Sequence, residues 1–286
     1  MPSEAPSTTP GGLDYVNSFA LYPFLSGLAL CFAVSLTLFV GCWVAALFIG
    51  RFNIVDVVWG LAFVAIAVTS LLWSAGHEGQ DWRRFLVLAL VCVWGLRLAA
   101  YIAIRSRGKG EDPRYDDLLG SGPERSRRAL VVVFVLQAVV AWVISLPVQA
   151  AMFIRTGWAW TAPVGVAIWL VGVFFETVGD AQLNAFRNEP SNRGKVMDRG
   201  LWRYTRHPNY FGDACVWTGL WLVAAGQWIG ALTFFSPVLM AWFLSFKTGK
   251  PLLERHMAAT KPGYAEYMKR TSGFFPLPPK RVQGSL

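Results

Sequence analysis

Charge, histidine and cysteine are all scarce in this chain. Of its 286 residues 15% are charged, three are histidine and four are cysteine. So little charge beside 55% hydrophobic residues and a mean hydropathy of +0.43 excludes a disordered chain or an ordinary soluble globule and points to a polytopic membrane protein. Cys31, Cys42, Cys92 and Cys215 all fall in apolar runs, with no C-x-x-C pair and no Cys/His ligand spacing. Neither a disulfide frame nor a metal site is expected. The first 20 residues lack lysine and arginine, so they have no basic region of a secretory signal, and their Pro/Ser/Thr content reads as a disordered tail. No internal repeat is visible.

What the chain has is apolar runs long enough to cross a bilayer as helices. Seven are expected, at 21–49, 55–75, 84–104, 129–154, 161–183, 208–226 and 228–246, giving an all-α fold in one membrane domain over 21–286. Its basic residues alternate by loop: 22 lie on one side and 3 on the other, with Arg97 left inside the third run. By the positive-inside rule the N-terminus is expected outside and the C-terminus in the cytoplasm. The net charge of +9 is thereby explained by topology, and no nucleic-acid partner is expected. After the seventh run, residues 250–272 read as an amphipathic surface helix, ended by the prolines of 276–279.

Polar residues inside an apolar chain mark chemistry. In the first half (50–128), Asp56 opens the second helix. It reads either as an interfacial carboxylate near Arg51 or as a carboxyl group facing the bundle, able to donate a proton. Arg97 cannot lose its proton and needs a partner or water; Asp56 is one partner, and a cavity shared with Trp94 and Tyr101 is the alternative. In the second half (161–280), Glu176, Asp180, Asn184 and Arg187 recur at i, i+4, i+8 and i+11, a polar stripe on one helical face. The segment from Gly200 to Asp213 then packs Arg203, Arg206, His207, Asn209 and Tyr210 at the doorstep of an apolar helix, with Pro208 suited to its first turn. Cations and unpaired first-turn N–H groups together favour an anion such as a phosphate. Lipid headgroup contact is the plainer alternative. His256, Tyr264 and Tyr267 lie late in the chain, where they could close over a cofactor or simply sit at the interface.

The pattern Asp180-x-x-Leu183-x-x-x-Arg187, then Gly200-Leu201-Trp202-Arg203-Tyr204, then Asn209-Tyr210-Phe211-Gly212-Asp213 resembles the cofactor half of the steroid 5-alpha-reductase-like membrane reductases, and more closely their bacterial DUF1295 branch. The resemblance covers roughly 50–280 and is most specific over 176–219. It implies NADPH as cofactor, with Arg187, Lys195 or Arg203 meeting its 2′-phosphate and His256 in the closing segment. The block Arg206-His207-Pro208-Asn209-Tyr210 is shared with sterol C14 reductases and with isoprenylcysteine carboxyl methyltransferases. By the same resemblance Asp56 stands where the steroid reductases have a substrate-polarising glutamate, and Arg97 matches an arginine of the third helix. Trp94 stands where they have a tyrosine; an indole N–H donates a hydrogen bond but gives up no proton readily. The implied activity is NADPH-dependent reduction of a carbon–carbon double bond in a lipophilic substrate, with catalytic Asp56, Trp94, Arg97 and Tyr101. A lipid methyltransferase using S-adenosylmethionine and a non-catalytic lipid or sterol binder are the alternatives. A bacterial plasma membrane, or the endoplasmic reticulum in a eukaryote, is the expected location.

Overall fold

The computed structural model describes residues 19–247 and 250–280, without the side chains of Arg114, Lys247, Pro251, Leu252 and His256. Most of the expected N-terminal tail therefore lies outside the described residues. Its last two residues, Phe19 and Ala20, are buried, and Ala20 N–H bonds to the Phe153 carbonyl at 3.1 Å. The described residues contain helices and two isolated β-bridges but no strand, so the protein is all-α as expected. The long helices are α1 (Leu21–Ile49), α2 (Val55–Ser74), α3 (Asp81–Ser106), α5 (Arg125–Ile144), α7 (Thr161–Asn188) and α9 (Trp228–Phe246). These six are long and apolar enough to cross a membrane. Shorter helices are α4 (Pro113–Leu119), α6 (Leu146–Ala151), α8 (Pro208–Ala224), α10 (Lys250–Thr260) and α11 (Tyr264–Arg270).

The sixth expected span falls on α8, a helix of 17 residues that is not among these six. At 1.5 Å per residue it is about 26 Å long, against a hydrocarbon core of about 30 Å. Its shortness comes from Pro208 at one end and the Ala225-Gly226 turn at the other. The expected run at 129–154 is likewise cut: α5 stops at Ser145, and Pro147 sits in the first turn of α6. The expected surface helix divides into α10 and α11 at Pro262 and Gly263, whose φ of +83° is left-handed; neither residue suits a helix interior.

The chain forms two compact units, residues up to Ala159 with Gly226–Gly230, and Trp160–Ala225 with the chain from Ala231. In the first unit α2 packs on α3 and α1 on both α2 and α5. Close approach of α2 and α3 occurs at Gly60 and Gly95, where an added Cβ would meet the facing carbonyl at 2.5 and 2.7 Å. Arg83 and Arg84, which open α3, are buried. Arg84 donates to the carbonyls of Met152 and His77 at 2.8 Å each, and Arg83 to the Gln80 side chain and the Trp158 carbonyl. Two of the three cations on the sparsely charged side are thus internal braces.

In the second unit α7 and α8 form a tight hairpin. Gly165, Gly172 and Gly179 recur every seven residues along α7, and Gly219, Gly212 and Pro208 face them from α8. A Cβ on Gly172 would lie 2.5 Å from the Gly212 carbonyl oxygen, and one on Gly165 would lie 2.5 Å from that of Gly219. Lipid offers no hydrophobic drive for helix pairing, so close backbone packing through small residues has to supply it.

This seam makes a test. Gly172→Leu should destabilise the protein by about 2–3 kcal/mol through backbone overlap. Gly41→Leu, at a position with open space around it, should leave the melting temperature in detergent nearly unchanged. Equal melting of the two variants would remove the glycine seam as the source of hairpin packing.

Candidate active site

In the first unit the mixed-charge loop after α3 folds back over the start of α2. Glu111 accepts the backbone N–H groups of Phe52 and Asn53 at 2.6 and 3.0 Å. Asn53 Nδ2 returns a bond to the Gly110 carbonyl at 2.9 Å, and the Arg51 guanidinium reaches the Lys109 carbonyl. Two of the unpaired N–H groups that precede a helix are thereby satisfied by a carboxylate, which the helix dipole also favours. Pinning this loop delivers α4, and the buried Tyr115 on it donates its hydroxyl to Asp56 Oδ1 at 2.7 Å. Asp56 is thus paired with a phenol.

The other expected catalytic residues fall on α3. Trp94 is fully buried and meets the edge of Phe63 at 5.5 Å between centroids; Phe63 in turn packs on Trp59 and Trp59 on Phe39. The indole is therefore part of an aromatic core. Arg97 is half-buried one turn further on. Tyr101 is half-buried with its ring under the Arg105 guanidinium, 5.4 Å from the cation, a cation–π contact.

In the second unit the stripe on α7 is graded by depth. Glu176 and Asp180 are buried, Asn184 is half-buried and Arg187 is exposed. Glu176 lies where α8 comes closest, its Cγ 2.8 Å from where a Cβ on Gly212 would stand. The loop after α7 is anchored to the same helix. Trp202 Nε1 donates to the Gly179 carbonyl at 3.0 Å, and Gln182 Oε1 accepts Leu201 N–H at 2.9 Å.

The closing segment, α10 to Lys280, clasps that loop. Arg206 is 8% exposed and is the hub. Its Nε donates to Glu254 Oε1 at 2.8 Å, and its Nη1 to the carbonyls of Thr271 and Met268 at 2.6 and 3.0 Å. His207 Nε2 meets the same Glu254 oxygen at 2.9 Å, and its ring stacks on Tyr210 at 5.0 Å. Backbone links run from Arg206 N–H to the Ser272 carbonyl and from Leu277 N–H to the Tyr204 carbonyl. Tyr267 donates to the Trp202 carbonyl at 2.5 Å, Thr205 to that of Phe274, and Lys261 to that of Lys195. Burial pushes the Tyr264 phenol up to about 12. Burial works against the Glu254 carboxylate too, but the hydrogen bonds from His207 and Arg206 outweigh it and hold its pKa at about 2. Burial lowers His207, against the raising effect of Glu254. The arrangement is a neutral imidazole and a guanidinium sharing one carboxylate.

The second unit thus gathers the expected Glu176, Asp180, Arg206, His207 and Tyr210, with Asn209 half-buried in the first turn of α8. Lys195 and Arg203 are exposed at its edge. The His256 side chain lies outside the described residues.

The model of the family described as "Protein of unknown function (DUF1295)" matches residues 42–271. The chain belongs to that family. It is also 32% identical over 72 residues to steroid 5-alpha-reductase DET2 of Arabidopsis thaliana, a stretch covering 25% of this chain and 27% of that protein. The chain thus spans about a quarter of the length of this curated relative. No solved structure matches it. The likeness to steroid 5-alpha-reductases and to DUF1295 proteins read in the sequence is borne out.

Two residues of this DUF1295 chain escaped the sequence reading. Glu254 is the single carboxylate between Asp213 and Glu266, in a basic stretch; that isolation was the available signal. Tyr115 is an aromatic among five charged neighbours at 111–117, and only the fold shows where it reaches.

The clasp should be acid-sensitive in a defined way. Glu254 has an ordinary value of 4.5 and sits at about 2 when folded, so its contribution is present above 4.5 and is lost as pH falls toward 2. His207 is lowered from 6.5, so the unfolded chain takes up a proton that the folded chain refuses, and stability also falls below 6.5. Melting temperature should therefore drop in two stages on acidification. Glu254→Gln should melt lower at neutral pH, with the stage below 4.5 missing. An unchanged acid profile in Glu254→Gln would take this carboxylate out of the clasp.

Proposed function

We propose that the chain catalyses NADPH-dependent reduction of a carbon–carbon double bond in a lipophilic substrate such as a steroid enone, an isoprenoid or another lipid. The observation that carries this reading is the buried acid stripe of α7 beside a clasped loop of donors, in a chain with a stretch similar to a steroid 5-alpha-reductase. The residues suit a dinucleotide phosphate. Buried Glu176 and Asp180 are acceptors for amide and hydroxyl groups, and Asn184, Asn209 and Tyr210 are donors within the same unit. The exposed cations Arg187 and Lys195 suit phosphate oxygens. Arg206 already gives three hydrogen bonds to its own chain, so its part is to hold the closing segment. His207, through Glu254, does the same and presents Tyr210.

NADPH, when bound, supplies a hydride; the protein supplies orientation, water exclusion and a proton. Hydride addition to an enone leaves negative charge on the carbonyl oxygen and one carbon short of a hydrogen. A donor aimed at that charge lowers the barrier, and a proton delivered to the carbon completes saturation. Tyr115 and Asp56 are the donor pair, and the proton they give is regained from water. Trp94 belongs to the aromatic core and gives up no proton readily.

With α8 as a seventh, short crossing, the basic loops share one face. We place that face, the cofactor-binding residues and the C-terminus in the cytoplasm.

Two measurements test the reading. Titration of the purified protein with NADPH and with S-adenosylmethionine should show binding of NADPH; binding of S-adenosylmethionine alone would reverse the assignment to a methyltransferase. Asp56→Asn and Tyr115→Phe should keep NADPH affinity and lower turnover by about 100-fold or more, the scale of a lost proton donor. Full turnover in Asp56→Asn would end the donor role.

A further inference from the structure

The loop that carries Arg206 and the strap that closes on it enclose a second feature, separate from the buried acid stripe. Between segments 198–203 and 270–280 runs a cleft of about 590 Å³, lined among others by Asp198, Arg199, Arg203, Arg270, Thr271 and Lys280. Four cations thus face one carboxylate, and that carboxylate is taken by Arg270 in an ion pair. Arg199, Arg203 and Lys280 enter no ion pair among the described residues. The walls are fixed by backbone. Lys280 N–H bonds to the Arg270 carbonyl at 2.8 Å and Arg206 N–H to that of Ser272 at 2.9 Å. On the opposite wall Leu201 N–H is held by Gln182. Three cations without an ion pair among the described residues, held together, repel one another, a cost that an anion between them removes.

The same two segments present apolar side chains to the outside. Tyr204 is 43% exposed, Phe275 64% and Leu277 55%, and Leu277 N–H bonds to the Tyr204 carbonyl at 3.0 Å. Their height along α7 is set by its length. Its 28 residues make about 42 Å of helix, and a span starting at the Thr161 end leaves a core of about 30 Å after some 20 residues. That point falls at Gly179–Gln182, where Leu201 and Trp202 are attached. With a span placed to start at Thr161, the cleft falls at headgroup level and its apolar rim beside acyl chains.

We propose that this cleft is a binding site for the phosphate headgroup of an anionic phospholipid. Arg199, Arg203 and Lys280 supply charge and fork-shaped donors to a phosphodiester, and Tyr204, Phe275 and Leu277 lie against the attached chains. The shared chemistry with free phosphate is the anion; the apolar rim favours the lipid, because a free anion gains nothing from it. The strap that a headgroup would brace is the one that carries the Arg206 clasp partners Thr271 and Met268, so lipid occupancy would steady the closing segment from outside.

The test uses the full chain in uncharged detergent. Native mass spectrometry would follow retention of added phosphatidylglycerol and phosphatidylcholine, with inorganic phosphate and NADPH as competitors. One phosphatidylglycerol should be retained per chain in preference to phosphatidylcholine, and should survive millimolar inorganic phosphate and NADPH. The double reversal Arg199→Glu with Lys280→Glu should weaken phosphatidylglycerol retention by about tenfold or more. Arg127→Glu with Arg128→Glu, the same change of net charge in the first turn of α5, should not. Equal retention of the two lipids, equal loss in both double variants, or displacement by inorganic phosphate or NADPH would each overturn the proposal. The wild-type competition arms decide the matter even if the reversal variant melts early. NADPH affinity is read separately, so failure here leaves the reductase reading standing.

Discussion

A buried carboxylate shared by a guanidinium and an imidazole holds the second unit in one conformation. Glu254, Arg206 and His207 come from segments 47 to 48 residues apart in the chain. A buried ion pair is weak evidence of net stabilisation, because desolvation offsets much of its attraction. What it gives is specificity: with either partner removed, an uncompensated charge stays buried at a cost of about 3–5 kcal/mol. The loop 195–207 and the segment 250–280 bury Met197, Trp202, Tyr264 and Tyr267; Met197 and Trp202 cluster with Phe186, and Phe274 and Phe275 pack on Phe211. This cluster joins those apolar contacts and the hydrogen bonds of Leu277 to Tyr204, Tyr267 to Trp202 and Thr205 to Phe274 in setting their register. Anything bound by the donors of that loop inherits its order from Glu254.

The α7–α8 seam solves a related problem by different means. In lipid a helix cannot be fixed by excluding water, so α7 and α8 meet at backbone distance through glycines. That contact sets the height of Glu176 and Asp180 relative to Pro208 and Asn209, and it brings buried acids beside the first turn of α8. Glycine at 165, 172, 212 and 219 and the polar stripe at 176, 180 and 184 lie on the same helix pair. Packing and site are there a single constraint.

Much of this was readable before folding, and the exceptions have physical causes. Six of the seven expected spans correspond to long apolar helices, because continuous hydropathy over some 20 residues leaves few other states in lipid. The ends at Ser145 and Ala224 were missed because proline and glycine act on the backbone, to which hydropathy is blind. Arg206 was read as a phosphate ligand from its charge and its neighbours. Its actual partners, Glu254 and the carbonyls of Met268 and Thr271, lie 48 to 65 residues away, a distance that no local pattern reports. The same holds for Tyr115, 59 residues from Asp56. Charges on one helix face are legible at i, i+4, while charges that meet across a loop are not.

Trp94, expected as a catalytic residue, is fully buried in the first unit. The indole fills an aromatic core with Phe63, Trp59 and Phe39, a place that needs volume and no proton. The phenol that pairs with Asp56 comes from α4, whose preceding loop Glu111 holds over the N-terminus of α2. That short helix is held by Glu111, by the bonds of Asn53 and Arg51 to the loop carbonyls and by the Arg125–Asp116 ion pair. Its alignment draws on the two N–H bonds that Glu111 accepts from Phe52 and Asn53. If the Asp56–Tyr115 pair is the proton source, the loop at 108–117 has a catalytic part as well as a topological one. The dense charge there then has two duties, holding the cytoplasmic face proposed for it and aiming a hydroxyl.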